Sequence, residues 1–301
     1  MMVRPAAFGF NTATAIDNAF QNKEAAQKDA EGIKQRAQAE FDFFVSRLRE
    51  AGVYVHVIED TATPVKPDAI FPNNWITTHE DGKVVLYPMK AENRRLERRE
   101  DIVTALSKEF KIADTINVSA FEQQGKFLEG TGSMIFDRVN KICYACISQR
   151  TEPQLLSEIN SKLGYEIVSF TSKDENGQDI YHTNVMLSVA TDFAIICGAS
   201  IPDANEKKVV LDKLSSTGKE IIDVTFEQMR ALCCNVLEVT NKQGEKLLTM
   251  SKRAFDAFSD DQKAVIEKSC RIVMSPIPVI EEIGGGGSRC MMAEIYLPEN
   301  K

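Results

Sequence analysis

The sequence predicts an α/β fold in which a unit of two strands, a helix and a third strand recurs about five times around one axis. Strand-like and helix-like stretches alternate along the 301 residues, and five short segments resemble one another. In each segment, small, polar or reactive residues run directly into an apolar strand. The five segments are 71–78, 129–136, 182–189, 233–239 and 289–295. Repetition of one unit at a nearly fixed period is typical of folds that bring equivalent strands together.

The spacing of these segments is nearly regular. When Asn74, Ser133, Asn184, Asn235 and Met291 are aligned, the successive offsets are 59, 51, 51 and 56 residues. A second strand is expected soon after each of the first three segments, at 84–87, 142–147 and 193–197. Because any α/β protein can show loose similarity of this kind, a fold without a repeat stays the alternative.

Local patterns predict the individual elements. A first strand is expected at 3–8, and a long helix is expected over 24–51, where apolar residues recur at spacings of three and four. These apolar residues are Ile33, Ala37, Phe41, Phe44, Val45 and Leu48. Gly52 ends the helix, and the apolar run at 53–58 predicts the next strand. Two further helix starts are predicted by pairs with capping-box spacing, Thr225 with Gln228 and Ser259 with Gln262.

Composition limits the classes of function. Hydrophobic residues make up 43% of the chain, which allows one large domain or two small ones, and of these we expect a single domain over 1–301. A formal charge of −8 disfavours binding to nucleic acid or to anionic lipid. The absence of a long apolar window and of a signal-peptide pattern predicts a cytoplasmic protein without membrane contact.

Seven cysteines, an odd number, fit reduced thiols better than a disulfide framework. No metal-binding or nucleotide-binding motif is present, so no metal site and no cofactor are predicted.

Of the three histidines, His182 is the candidate for chemistry. It stands at the start of an apolar strand inside one of the repeated segments. His56 alternates with valines in an expected strand and is interpreted as structural. His79 falls in an expected hairpin turn, where it should be exposed. If the repeat is not real, a structural role is also the better interpretation of His182.

Cys290 is the candidate nucleophile. It follows the glycine run 284–287, which lets the backbone approach a ligand closely, and Arg289 beside it can lower the pKa of the thiol. A flexible linker followed by a buried cysteine is the alternative. Glu129 precedes a Gly-Thr-Gly turn in another repeated segment and is the candidate carboxylate, with an ordinary solvated turn as its alternative.

The chain resembles the pentein, or guanidino-group-modifying, superfamily. The resemblance runs from 2–10 through 71–75 to 287–291, and it is nearest to the dimethylarginine dimethylaminohydrolase and arginine deiminase-related branch that includes bacterial citrulline utilisation hydrolases. It implies a five-bladed α/β propeller with an active site on its axis. It also implies a hydrolase that cleaves a non-peptide C–N bond, in which Cys290, His182 and Glu129 match the catalytic cysteine, histidine and acidic residue.

Local motifs extend the resemblance to the binding of a small amino-acid substrate. Residues 147–151 are similar to a stretch of dimethylarginine hydrolases whose arginine helps to hold the α-carboxylate, which implies this role for Arg150. Residues 93–95 are similar to a stretch that supplies a substrate-binding arginine, which implies Arg94. A guanidinium suits a carboxylate because it donates two parallel hydrogen bonds. A solvated helix face is the alternative for Arg94.

The departures from the family pattern concern the choice of substrate. After Phe71, where related guanidinium hydrolases carry an acidic residue, this chain has Asn73 and Asn74, and it has Asn184 where arginine deiminases have aspartate. A guanidinium is a cation that only donates, so carboxylates are its natural partners, whereas an amide complements both the donors and the acceptor of a neutral ureido group. We therefore expect a ureido amino acid such as citrulline.

The expected chemistry is covalent. The Cys290 thiolate attacks the central carbon, and His182 acts first as acid and then as base. A neutral substrate brings no charge to stabilise the thiolate, so His182 or Arg289 must assist. The alternatives are a deiminase or dimethylaminohydrolase acting on a guanidinium, an amidinotransferase, and a non-catalytic binding module with the same propeller.

Overall fold

The computed structural model describes residues 1–15, 18, 20–22, 24 and 30–300. Within these residues the strands are β1 (Met2–Arg4), β2 (Val57–Glu59), β3 (Ile76–Thr78), β4 (Lys83–Leu86), β5 (Asp114–Asn117), β6 (Ile135–Asp137), β7 (Ile142–Cys146), β8 (Glu166–Phe170), β9 (Leu187–Val189), β10 (Phe193–Ile196), β11 (Glu220–Asp223), β12 (Leu237–Thr240), β13 (Lys246–Ser251) and β14 (Arg271–Ser275). The α-helices are α1 (Ala30–Glu50), α2 (Glu100–Glu109), α3 (Gly130–Ser133), α4 (Pro153–Leu163), α5 (Ala204–Ser216), α6 (Phe226–Arg230), α7 (Lys252–Ala257) and α8 (Asp260–Glu267). The fold is therefore α/β, as predicted.

Four sheets share one plan. In each, the first two strands form an antiparallel pair, and the third strand lies parallel to the middle one after a helical connection. The strand orders are β3-β4-β5, β6-β7-β8, β9-β10-β11 and β12-β13-β14. A parallel pair needs such a crossover because the chain must return to the same end of the sheet. This is the unit of two strands, a helix and a third strand that the sequence predicts.

The fifth sheet differs, because both of its strands precede the repeated segments in the chain. Strands β1 and β2 pair in parallel, and the connection between them contains α1. The strand expected at 289–295 does not form, since the N–H groups of Met291 and Met292 are used in tight turns. The N–H of Ala293 nevertheless donates to the carbonyl of Met1, at 3.0 Å, so this segment lies beside β1.

Helix α1 buries its predicted apolar face. Ile33, Ala37, Phe41, Phe44, Val45 and Leu48 are all at most 5% exposed, and the helix packs against β1 and β14. The helix was expected over 24–51, and its residues 25–29 lie outside the described part of the chain. Gly52 follows the helix with a φ of +85°, a conformation that glycine adopts without strain. The strand expected at 53–58 is shorter and later, and the strand expected at 3–8 ends at Arg4.

The two predicted capping boxes are present. The side chain of Thr225 accepts from the N–H of Gln228, whose side chain bonds back to Thr225, and Ser259 and Gln262 form the same pair. These reciprocal bonds satisfy N–H groups that have no partner inside a helix. Within the described residues, no helix combines the length and apolar character needed to cross a membrane.

Helix α1 offers a matched test of its packing. Phe44 is completely buried, whereas its neighbour Phe43 is 48% exposed. We expect Phe44→Ala to lower the free energy of unfolding by about 3–5 kcal/mol, because it leaves a cavity beneath the helix. Phe43→Ala should change it by no more than about 0.5 kcal/mol. Urea denaturation measures both values, and equal losses would show that the helix does not pack on this face.

Candidate active site

The starts of the repeated segments lie side by side. The turn Pro72–Asn74 contacts α3, and α3 contacts the turn Thr183–Val185. The Asn235 side chain then donates to the carbonyl of Asn184, at 3.1 Å. Because each of these short elements stands directly before a strand, the strands place the polar side chains of different segments next to one another.

The glycine run 284–287 completes this set of contacts. The N–H of Arg289 donates to the carbonyl of Asn235, at 3.3 Å. A Cβ on Gly286 would lie 2.8 Å from the Phe71 ring, so only glycine lets this loop pack there. The glycine run and the segment at 289–295 therefore contact the segment at 233–239 and the segment at 71–78. The glycine run is a buried loop, which excludes the alternative of a flexible linker.

A small cavity lies among these segments. Its volume is about 20 Å³, which is room for about one water molecule. It is lined by Thr14, Asn18, Asp68, Phe71, Asn74, Arg94, Arg150, Tyr181, His182, Gly284, Gly285, Gly286 and Cys290. The amide of Gln21 donates to the carbonyl of Gly284, at 3.2 Å. The cavity in this form is therefore smaller than an amino acid.

Glu129 and His182 form a buried pair. The Glu129 Oε2 atom lies 2.8 Å from His182 Nε2 and 3.2 Å from Arg150 Nη1. The other oxygen, Oε1, accepts from the N–H of Lys90, at 2.9 Å. Burial opposes ionisation of Glu129, but Arg150 and His182 outweigh it and hold its pKa well below the ordinary value. The alternative interpretation of Glu129, a carboxylate in a solvated turn, is thus excluded, because Glu129 is 0% exposed.

This pairing fixes the protonation of His182. An ionised carboxylate only accepts, so Nε2 donates to Glu129 and Nδ1 is the acceptor in the neutral ring. Burial lowers the pKa of His182, although Glu129 opposes this effect. The neutral imidazole is therefore the resting form, with one nitrogen free of a proton.

Two side-chain amides lie within hydrogen-bonding distance of the Cys290 sulfur. Its Sγ lies 3.3 Å from Asn235 Nδ2 and 3.4 Å from Asn184 Nδ2. Burial raises the pKa of the Cys290 thiol above its ordinary value. The expected lowering by Arg289 is present, but burial outweighs it, and the Arg289 guanidinium itself binds Glu294, at 2.7 Å, and the carbonyl of Met292.

Arg94 is enclosed by its own partners. It pairs with Glu97 through two bonds of 2.8 and 2.9 Å, and it donates to Asn74 Oδ1 at 2.7 Å and to the carbonyl of Phe71 at 3.1 Å. Burial raises the pKa of Glu97 to about 7, although Arg94 opposes this effect. Arg94 is only 3% exposed, so the solvated helix face is excluded.

The remaining predicted residues lie at the cavity or directly behind it. Phe71, Asn74 and Arg150 line it, and the Arg150 guanidinium also stacks over the ring of Tyr181. Asn184 does not line the cavity but contacts Cys290, which does. Asn73 is fully buried, and both polar atoms of its amide are without a hydrogen-bond partner.

Two residues of the site were not identified from the sequence. Asn235 contacts Cys290, and its position in the repeat, equivalent to Asn184, is the signal that could have found it. Asp68 lines the cavity and accepts from Asn11, at 2.8 Å, while its Oδ1 atom is buried without a partner. No local pattern marks Asp68, because the contacts that bring it to the cavity are distant in sequence.

One histidine prediction was wrong. His79 is only 5% exposed, and its Nε2 atom lies 2.9 Å from Thr77 Oγ1. Burial lowers the pKa of His79 to about 3, so the ring stays neutral. Among the described residues, no group of three His, Cys, Asp or Glu side chains is arranged to hold a metal ion.

Gly132 gives a geometric test of the site. A Cβ at this position would lie 2.5 Å from Asn74 Nδ2 and 2.7 Å from His182 Cε1. We expect Gly132→Ala to displace the imidazole and to lower kcat/KM by about 100-fold, because catalytic geometry tolerates little displacement. Gly9→Ala is the control, since a Cβ there meets nothing within 4 Å. Steady-state kinetics distinguish the two, and equal activities would show that the ring position is unimportant.

Solved structures with the same fold are known. The chain aligns with ArgZ, an arginine dihydrolase from the ornithine-ammonia cycle in cyanobacteria, at a TM-score of 0.75 and 17% identity, covering 98% of this chain and 40% of that chain. It covers 98% of the N-terminal domain of ArgZ. AgrE in complex with ornithine and NAD⁺ aligns at a TM-score of 0.77 and 16% identity, covering 100% of this chain and 39% of that chain. These likenesses show a shared fold, and this chain spans about two fifths of the longer relatives.

The dimethylarginine hydrolase of Pseudomonas aeruginosa, a cysteine-to-serine mutant complexed with citrulline, aligns at a TM-score of 0.66 and 14% identity, covering 96% of both chains. No curated protein sequence matches the chain. The family of eukaryotic N,N dimethylarginine dimethylhydrolases matches over residues 4–297. The predictions of a pentein-related chain and of a cysteine hydrolase acting on non-peptide C–N bonds are thereby confirmed. The chain belongs to the N,N dimethylarginine dimethylhydrolase family.

Proposed function

We propose that this chain hydrolyses the ureido group of a citrulline-type amino acid. The observation that carries the proposal is that the nucleophile contacts amides and that the carboxylate beside His182 is already paired. Within the described residues, the side chains that hydrogen-bond to Cys290 Sγ are the amides of Asn184 and Asn235. Glu129, the carboxylate next to His182, is already neutralised by Arg150.

A guanidinium substrate would place a full positive charge at this position. Burying a cation requires a carboxylate whose charge is not already used. Both oxygens of Glu129 are engaged, by His182, Arg150 and the N–H of Lys90. A ureido group is neutral and presents donors and an acceptor, which amides complement without a countercharge. The unpartnered amide atoms Asn184 Oδ1 and Asn74 Nδ2 provide one acceptor and one donor.

The charged ends of an amino acid have partners in the same cavity. Asp68 Oδ1 is buried without a partner and suits the α-ammonium group. Arg94 and Arg150 line the cavity and are the proposed partners of the α-carboxylate, in agreement with the roles implied by their motifs, and each would share its guanidinium with Glu97 or Glu129. Phe71 covers the aliphatic part of the substrate, and Asn73 lies buried behind Asn74 with unused hydrogen-bonding capacity.

The proposed reaction has two steps. The proton of the Cys290 thiol passes to neutral His182, and the thiolate attacks the ureido carbon. His182 returns this proton to the leaving nitrogen, which frees ornithine and leaves a carbamoyl thioester on Cys290. His182 then takes a proton from water, which hydrolyses the thioester to carbamate and restores the thiol. The carbamate decomposes to carbon dioxide and ammonia.

We further propose that the five sheets are the blades of a propeller around this site. The contacts between successive segments, from Pro72–Asn74 to the glycine run and back to Phe71, support a closed arrangement. The sheet that contains β1 and β2 would then be closed by the segment around Ala293. We also propose that residues 1–301 form a single catalytic domain in the cytoplasm, as the composition suggests.

Arginine is the second candidate substrate, because ArgZ is an arginine dihydrolase and its N-terminal domain aligns over 98% of this chain. Arginine would yield two molecules of ammonia per ornithine, whereas citrulline yields one. The stoichiometry of the products therefore separates the two functions.

We expect kcat/KM for citrulline to exceed that for arginine, methylated arginine and agmatine, with one ammonia released per ornithine. Chromatographic detection of ornithine together with an ammonia assay measures both quantities. Asn74→Asp is the matched variant, since it keeps the acceptor for Arg94 and adds a charge, and we expect it to raise the arginine-to-citrulline ratio by at least about tenfold. A wild-type preference for arginine by orders of magnitude would refute the proposal.

The protonation state of His182 predicts a pH profile. Because burial lowers the pKa of His182, the neutral ring persists below its ordinary value of 6.5. We expect the acid limb of kcat/KM to lie below pH 6.5 and activity to be lost only as pH falls further. Glu129→Gln should move this limb lower still, since Glu129 raises the pKa of His182. An acid limb at or above pH 6.5 in the wild type would contradict this assignment.

A further inference from the structure

Within the described residues, the side chains that donate hydrogen bonds to the Cys290 sulfur are two amides. Asn235 Nδ2 lies 3.3 Å from Sγ, and Asn184 Nδ2 lies 3.4 Å from it. Both distances are within the range of hydrogen bonds to sulfur. The two asparagines come from different repeated segments, so the fold has to bring them together for this contact to form.

The cations near the sulfur have other partners. The Arg289 guanidinium turns to Glu294 and to the carbonyl of Met292. Arg94 and Arg150, which line the cavity, are paired with Glu97 and Glu129. The neutral form of His182 is favoured by burial. Arg289 still favours the thiolate from a distance, but in the described part of the chain the side chains that hydrogen-bond to Sγ itself are the two amides.

The orientation of Asn235 is determined by its second contact. Its Nδ2 atom also donates to the carbonyl of Asn184, at 3.1 Å. A carbonyl oxygen only accepts, so the amide nitrogen, and not the oxygen, must occupy this side of the side chain. One hydrogen of the NH₂ group then points to the Asn184 carbonyl, and the other is available to the sulfur.

The backbone around Asn235 holds this geometry. Its carbonyl accepts from the N–H of Arg289, at 3.3 Å, and from the hydroxyl of Ser288, at 3.1 Å. On the other side, a Cβ on Gly287 would come within 2.8 Å of Asn235 Oδ1. The loop that carries Cys290 is thus packed directly against the amide, which leaves Asn235 little freedom to rotate away from the sulfur.

We propose that Asn184 and Asn235 are catalytic residues that stabilise the Cys290 thiolate in the free enzyme through their amide N–H groups. This role deepens the proposed function, because a neutral ureido substrate brings no charge of its own to the thiolate. The proton that leaves Sγ goes to His182, and the two amides hold the resulting negative charge. No cation from the substrate is needed for the nucleophile to form.

Alkylation of Cys290 without substrate tests this role. Iodoacetamide reacts with the thiolate, so its rate against pH reports the midpoint of ionisation, and mass spectrometry of the peptide identifies Cys290 among the seven cysteines. We expect Asn235→Leu, which keeps the shape and removes the donor, to raise this midpoint by about one pH unit. At pH 7.5 alkylation should be about tenfold slower. Asn184→Leu should act in the same direction.

Two further variants separate the donor from its packing. Asn235→Asp keeps the shape, removes the N–H groups and adds a negative charge when ionised, so it should raise the midpoint at least as far as Asn235→Leu. Asn160→Leu is the control, since Asn160 is equally buried but donates to the carbonyl of Leu156. Its midpoint should match that of the wild type. Thermal unfolding confirms that each variant is folded, and Asn235→Asp replaces Asn235→Leu if the latter is not.

The outcome is independent of which substrate is turned over. If folded Asn235 variants keep the wild-type midpoint, the amides only pack the loop, and the proposal is overturned. A raised midpoint supports it, whether citrulline or arginine proves to be consumed. The substrate comparison described above can therefore fail while this inference stands, and the reverse also holds.

Discussion

A carboxylate without contact to water needs partners for its charge, and Glu129 has three. His182, Arg150 and the N–H of Lys90 all donate to it. This arrangement fixes the tautomer of the imidazole, and it also pairs the negative charge of Glu129 with the Arg150 guanidinium. The position of the histidine and the charge of the cavity are thus two results of one buried interaction.

The second requirement is close packing of the turns that carry these side chains. Gly132 lies where a Cβ would collide with His182, and Gly286 lies where one would collide with Phe71. Because glycine has no side chain, two segments can pack closely at each of these positions. The polar groups of neighbouring segments therefore approach within hydrogen-bonding distance across the site, although they are separated by about fifty residues in the sequence.

The sequence predicted those features that depend on neighbouring residues or on the repeat. The apolar face of α1, both capping boxes and the placement of His182 and Glu129 in adjoining segments belong to this group. The environment of individual groups was harder to predict. Arg289 is next to Cys290 in sequence, yet its guanidinium turns to Glu294.

Contacts distant in sequence also escaped prediction. Asp68 reaches the cavity through Asn11 and Thr14, and His79 is buried by packing against Phe136. A local sequence pattern contains no information about such partners, because residues distant in the sequence determine whether a turn is buried. The strand boundaries shifted for a related reason, since pairing with a neighbouring strand determines where each strand begins and ends.

The cover of the cavity is bound to the loop that carries the nucleophile. Gln21 donates to the carbonyl of Gly284, and the N–H of Asn22 donates to the carbonyl of Glu282. These bonds support the glycine loop before Cys290 from outside, through residues near the start of the chain. A substitution at Gln21 therefore acts on the position of the sulfur as well as on the edge of the cavity.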